Sequence, residues 1–571
     1  MRENIPEEED SDHKNAITSL SGKPKIAYFS MEIGIDENIP TYSGGLGILA
    51  GDTIKSCADL NVPVVGVTLL SENGYFYQNI DENGNQTETP IQFDVSKFLK
   101  LLPTTTNVKI EDRDVKIRTR YYQVKGVGEY IIPIFFLDTN IEDNSDWDRQ
   151  LTKYLYGGDN KYRLAQEMIL GIGGVRMLRA LGYTTIDRYH MNEGHAALST
   201  LELYNYYNEV EKVREQCVFT THTPVAAGHD QFDISLAKSM LGNILPDFIL
   251  GDATFENKLN MTRLALFFSH YVNGVGKKHG EISRVMFPGY SIDSITNGVH
   301  STTWVSQPFK RLFDKHIPGW KADPYLLRSA FSISKTEIWN AHVDAKKELI
   351  NFVNKNYNLN MTYNDFTIGF ARRQTAYKRP DLLISEPERL KQIAKKYGCI
   401  QIIYAGKAHP KDQSGKDAIK NIFSVMKTID DNVKIAFIHN YDIRIGKLMV
   451  SGVDLWLNTP RRPKEASGTS GMKAAHNGVP QLGTLDGWWL EGCIENITGW
   501  SIGPEKPKEE ESDDEIDRHE LYNKLENKII PKFYNDRENW IRTMRSCIAI
   551  NASFFNTNRM IQQYVLNAYF R

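Results

Sequence analysis

The segment Glu465–Trp489 reads EASGTSGMKAAHNGVPQLGTLDGWW, and one lysine, Lys473, sits where a run of small residues turns into a helical stretch. Gly468, Thr469, Ser470 and Gly471 let the backbone approach a ligand closely, and free N–H groups at a helix start favour an anion. Lys473 is flanked by Met472, Ala474 and Ala475. Apolar surroundings lower an ammonium pKa and leave an amine able to form a Schiff base. A phosphate seat beside such a lysine suits pyridoxal phosphate. The same residues also describe an ordinary βα turn whose lysine points into solvent, and by themselves they leave both readings open.

A second constellation is ARRQTAYKR at 371–379, in which Arg372, Arg373, Lys378 and Arg379 follow an apolar run. Bidentate guanidinium and point-charge ammonium groups clamp a phosphate dianion, although a basic turn of this kind is equally a solvated one. In TYSGGLGILAG at 41–51, Gly45, Gly47 and Ala50 fit the dinucleotide spacing G-x-G-x-x-A. The glycines do not follow the preceding strand directly and no acidic residue ends the next strand, which argues against a dinucleotide site. His190, His195, His222 and His229 lack HExxH spacing and an obvious acid ligand, so no metal site is expected.

The elements that must position these groups read as repeated pairings of apolar strand and amphipathic helix. Lys25–Ser30, a Gly-rich loop at Ser43–Gly51, a helical stretch to about Leu60 and a strand at Val62–Leu69 make a βαβ opening. Further strands are expected at Phe366–Ala371, Ile400–Ala405, Val433–Ile438, Val453–Leu457 and Gln481–Leu485, with helices between them. Ser301–Ala322 carries the turn and anchor residues of a domain junction. The fold class is therefore α/β, with two Rossmann-like domains (residues 1–305 and 306–571) facing a central cleft where ligands meet strand ends. Lys506–Asp517 (KPKEEESDDEID) reads as a solvated charge block, and the stretch from Asp536 onward as helical.

The lysine segment resembles the pyridoxal-phosphate loop of the glycogen and α-glucan phosphorylases, in which E-A-S-G-T, two small or polar residues, M-K and a downstream G-T-L-D-G recur in order. The resemblance is to the short prokaryotic and archaeal type, and it implies the two-domain GT-B glycosyltransferase architecture. Carried over position by position, it implies that Lys473 holds pyridoxal phosphate covalently and that Thr469, Ser470, Gly45, Arg372 and Tyr441 lie around the cofactor. Arg373 and Lys378 would hold the substrate phosphate. NEGH at 192–195 is similar to the family's N-D-T-H, Thr221–Thr223 to its N-H-T and Thr296–Gly298 to its T-N-G. Gly44, His222, Asn297, Glu465, Asn192 and His195 would then bind glucose, with His222 also counted among the catalytic groups. YGGDN at 156–160 resembles the loop that partly covers the family's site. The chain departs from the family at Glu193, Arg372 and Ser470–Gly471.

By this resemblance the chain phosphorolyses terminal α-1,4-linked glucose of an α-glucan with inorganic phosphate, giving glucose 1-phosphate. The rivals are a sugar-nucleotide glycosyltransferase of the glycogen synthase kind, which has no use for Lys473, and an inactive glucan-binding relative. A formal net charge of −3 over 571 residues gives no basic field for nucleic acid. The acidic, polar first fifteen residues and the lack of a long apolar run point to a cytoplasmic protein without membrane attachment. Five scattered cysteines suit a reducing compartment. A homo-oligomer is left open.

Overall fold

The computed structural model describes residues 25–225, 228–504 and 513–570. The first fifteen residues and 506–512 of the charge block, on which two of the expectations above rest, lie outside them. The chain first builds nine strands: β1 (Ile26–Ser30), β2 (Val64–Leu69), β3 (Lys100–Ile110), β4 (Arg113–Lys125), β5 (Ile131–Asp138), β6 (Arg188–Asn192), β7 (Cys217–Thr220), β8 (Tyr271–Gly274) and β9 (Asp293–Ser294). They form one sheet in the order β9-β8-β7-β6-β1-β2-β5-β4-β3. Every pairing is parallel except those of β4 with β5 and with β3. Both faces of the central strands are covered, which is why β1 and β2 read as unbroken apolar runs instead of alternating.

Six further strands make a second, wholly parallel sheet: β10 (Phe366–Ala371), β11 (Ile400–Ala405), β12 (Val433–Ile438), β13 (Leu455–Asn458), β14 (Gln481–Thr484) and β15 (Gly499–Ile502). Their order is β12-β11-β10-β13-β14-β15. In the parallel part of each sheet the strand order reverses once, between β1 and β6 in the first and between β10 and β13 in the second. These are the places where open α/β sheets leave a crevice at their carboxyl ends.

One apolar cluster joins the halves. Ile48, on the helix α1 (Gly45–Asp59), packs with Trp304, Ala371, Met472 and Trp488. The chain end returns to the first sheet. The helix Thr557–Tyr564 and the turn after it place Met560, Ile561, Tyr564 and Tyr569 against Ile26, Tyr28 and Val218. The Tyr569 hydroxyl lies 2.7 Å from His190 Nδ1, and the Tyr564 hydroxyl accepts from Asn273 Nδ2 at 3.0 Å.

Two details differ from the sequence expectation. The GGLG string is not a loop before the helix, since Gly45 already begins α1. The end of the charge block is not solvated throughout, because Asp517 is buried while Asp513 and Glu515 are exposed. Asp513 caps the helix Asp514–Lys524, and Asp517 is fully buried 2.7 Å from Arg379 Nη2, with Arg462 beside it at 3.4 Å. A run of acids looks solvated until the fold sets guanidinium groups opposite one of them.

Candidate active site

At the carboxyl end of β10 the chain turns through Arg372 and Arg373, and at that of β13 through Asn458 toward Glu465. Arg372 donates to the Asn458 side-chain oxygen, and its other terminal nitrogen lies 2.6 Å from Glu465 Oε2. Lys378 Nζ reaches the same oxygen at 2.6 Å. All three charged groups are buried. Burial opposes the Glu465 charge, yet Arg372 and Lys378 overcome it and hold the carboxyl at about 2. One carboxylate cannot balance two cations. Lys378, desolvated and repelled by Arg372, falls from 10.5 to about 7. Arg373, next to Arg372, is exposed. Arg379, grouped with these cations by sequence, instead turns away to Asp517, Asp514 and the carbonyls of Thr459 and Pro460.

Lys473 lies on the six-residue helix Ser470–Ala475, buried, with Nζ 3.8 Å from the centroid of the Trp304 ring. Burial lowers its pKa to about 8; Asp52 works against the shift and Lys55 adds to it. Asp52 accepts from the Trp304 indole N–H at 2.8 Å and from the backbone of His300 at 3.2 Å. Thr469 precedes this short helix without a side-chain capping bond, and the Ser470 hydroxyl accepts from the Trp456 indole at 3.1 Å. Gly471 admits no side chain, because a Cβ there would meet Gln481 Oε1 at 1.8 Å. Tyr441 is close enough to Arg372 to feel its charge, and burial pushes its phenol up.

Across the junction, Glu32 beyond β1 accepts from the backbone N–H groups of Ser43 and Gly44 and, at 2.8 Å, from the Tyr156 hydroxyl. Burial nonetheless raises its carboxyl pKa. A Cβ at Gly44 or Gly45 would meet nothing within 4 Å, so the backbone here borders open space at the start of α1. The Tyr42 hydroxyl accepts from Ile443 N–H at 3.0 Å and ties this loop to the second sheet.

His222 and Asn192 meet beyond β6 and β7. The Asn192 amide nitrogen donates to Ser30 Oγ at 3.1 Å, so its oxygen accepts from His222 Nε2 at 2.6 Å and leaves Nδ1 as an acceptor. Burial, with His279 and other histidines nearby, lowers the His222 pKa to about 3 and keeps the ring neutral. Glu193, at φ 78°, accepts from the backbone of His222 at 2.7 Å and from the Thr223 hydroxyl at 3.0 Å. Asn297 donates its backbone N–H to Val275 O, and its buried side-chain oxygen has no protein partner among the described residues. His195 lies 3.4 Å from Asp230 and against the Tyr156 ring, near enough to His222 to act on its charge. Glu465, expected with the sugar residues, contacts Arg372 and Lys378.

Four groups escaped the sequence reading: Glu32, Asp52, Trp304 and Asn458. Only Trp304 had a signal, as one of the aromatic anchors near the domain junction.

The profile of a family described as carbohydrate phosphorylase matches residues 244–498. The chain is similar to maltodextrin phosphorylase of Thermococcus litoralis, 38% identical over 95% of this chain and 70% of that protein. It is 34% identical to glycogen phosphorylase of Mycobacterium tuberculosis with the same coverage, and 33% identical to that of Aquifex aeolicus over 96% of this chain and 86% of the relative.

Proposed function

The chain belongs to the carbohydrate phosphorylase family, and from that premise we propose that it is an α-glucan phosphorylase, transferring terminal α-1,4-linked glucosyl units to inorganic phosphate with pyridoxal phosphate as cofactor. The observation that carries this is the charge imbalance at Glu465. One carboxylate faces buried Arg372 and Lys378, with exposed Arg373 adjacent, so the cluster is two negative charges short of neutrality. A phosphate dianion supplies them.

The residues present also fit the cofactor. Lys473 is buried against an aromatic ring with a lowered pKa, as a covalent attachment point requires. Asn458 Nδ2 and Ser467 Oγ are buried without a partner among the described residues, and the backbone at Gly44 and Gly45 borders open space. In this reading Lys473 holds the cofactor, Arg372, Thr469, Ser470 and Gly45 face its phosphate, and Tyr441 covers its ring. When bound, the cofactor supplies a phosphate group that exchanges a proton with the substrate phosphate.

Lys378 and Arg373 hold the substrate phosphate and stabilise the charge that shifts onto it as the glycosidic bond breaks. Once phosphate engages these cations, Glu465 is released to accept from a ring hydroxyl. His222 Nδ1 and Asn297 Oδ1 accept from others, and such groups reject sugars that lack the matching hydroxyl. The substrate phosphate gives its proton to the departing glycosidic oxygen, and its own oxygen then captures the glucosyl cation on the face the leaving group departs from. No carboxylate nucleophile is required, and configuration is retained.

Maltooligosaccharide and phosphate incubated with the purified holoprotein should release glucose 1-phosphate, with 3-deoxy and 6-deoxy glucosyl donors reacting poorly. Glucosyl transfer from a sugar nucleotide, without phosphorolysis and without a cofactor absorbance, would establish the synthase alternative.

A further inference from the structure

A hairpin, Tyr77–Ile80 paired with Gln86–Thr89, leaves the first sheet and lies across the loops at the carboxyl end of the second. Its base is held to the segment before Tyr156, with Asn73 N–H donating to Lys153 O at 2.7 Å and Leu155 N–H to Gly74 O at 3.1 Å. Two glutamines, Gln78 and Gln86, lie almost wholly buried beneath it.

Their amides form a complete network. Gln78 Nε2 donates to Gln86 Oε1 at 2.8 Å and to Gly406 O at 3.0 Å, and Gln78 Oε1 accepts from Asn440 N–H at 2.9 Å. Gln86 donates to Ala408 O at 2.8 Å and accepts from Ala408 N–H at 3.0 Å, as a neighbouring strand would. Buried amides with every donor and acceptor used impose direction as well as contact.

The two loops gripped in this way are those behind the proposed phosphate and cofactor groups. Gly406–Ala408 follows β11 and carries the Arg372–Gln374 turn. Gln374 N–H donates to Lys407 O at 3.0 Å, and its side chain bonds the carbonyls of Ala405 and Arg372 at 3.0 and 3.2 Å. Asn440, at φ 54°, follows β12 and immediately precedes Tyr441. A single side chain from the first half of the chain therefore reaches both.

We propose that Gln78, braced by Gln86, is a positioning residue that sets Arg373 toward the substrate phosphate and Tyr441 toward the cofactor from across the domain junction. The proposal rests on the phosphorylase reading above. Its directional bonds, and not apolar packing, hold the two loops at a fixed separation, so their loss loosens the anion site more than the fold.

The test compares wild-type, Gln78→Ala, Gln78→Glu and Lys427→Ala holoenzymes. Lys427 joins the same hairpin only through an exposed 2.8 Å contact with Asn83. Gln78→Ala should raise the phosphate KM by about tenfold, shift the absorption of the bound cofactor and leave the glucan KM alone. Lys427→Ala should change none of these. Glu at position 78 donates to Gly406 only when protonated, so its phosphate KM should climb as pH rises through the carboxyl titration, a step absent from wild type. A Gln78→Ala enzyme with a lowered melting temperature but unaltered phosphate KM and cofactor absorption would overturn the proposal, as would Lys427→Ala matching Gln78→Ala. A wild-type holoenzyme that performs no phosphorolysis overturns the functional reading instead. Calorimetric phosphate binding and the cofactor spectrum then still decide the role of Gln78.

Discussion

Replacing Lys378 by methionine should make the phosphate-free protein more stable while disabling it. Glu465 offers one negative charge to two buried cations, 2.6 Å from each. Lys378 is the group left short, and its pKa drops from 10.5 to about 7. At about 1.4 kcal/mol per factor of ten, holding that ammonium charged at pH 7 costs on the order of 4 kcal/mol. Methionine keeps most of the hydrocarbon stem and leaves a balanced Arg372–Glu465 pair. After allowance for imperfect packing, a gain of about 2 kcal/mol is expected at pH 7. Phosphorolysis should fall by about 10²-fold or more. Because the folded pKa is depressed, the unfolded chain binds more protons between about pH 7 and 10.5, and wild-type stability rises with pH through that window. Lys378→Met lacks this rise, so its advantage is greatest at and below pH 7 and vanishes by about pH 10.5. Unfolding of both proteins in buffer free of phosphate and sulfate, at about pH 6 and about pH 9.5, measures the effect. A variant less stable than wild type at the lower pH, with an unaltered pH dependence, would refute the charge-imbalance argument.

Three further outcomes are expected. Arg373→Ala should keep its cofactor yet lose about 10²-fold in rate, or on the order of 3 kcal/mol of transition-state stabilisation, and wild-type rates would return Arg373 to the role of a solvated turn. Covalent capture of pyridoxal phosphate by apoprotein should accelerate with pH and level off near pH 8, where Lys473 loses its proton. Capture still quickening near pH 10, or a borohydride-trapped adduct on another lysine, would remove the assignment. Asp517→Asn leaves Arg379 and Arg462 short of their buried partner and should cost about 3 kcal/mol in unfolding experiments. A change below about 0.5 kcal/mol would mean that water compensates both guanidinium groups.

The sequence alone determined the local chemistry and the class of fold. Apolar runs such as FTIGFA and IQIIYA are long enough for strands and too uniformly apolar to have a wet face, so a parallel sheet covered on both sides was legible in them. The small residues before Lys473 are legible because a close backbone approach and a helix start are properties of neighbouring residues. Partnerships between distant segments were not. The contact of Glu465 with Arg372 and Lys378 is invisible in its own motif, because the two cations arrive from 93 and 87 positions earlier in the chain. Asp517 looked solvated until Arg379 and Arg462 met it. Gln78 and Gln86 sit in a polar, turn-rich stretch whose composition predicts exposure, and both are buried because a second sheet presents backbone groups at hydrogen-bonding distance. Propensity and periodicity act over a few residues, whereas desolvation and charge balance depend on what packs alongside, so only the tertiary structure decided which groups are buried, which are paired and which are left wanting an anion.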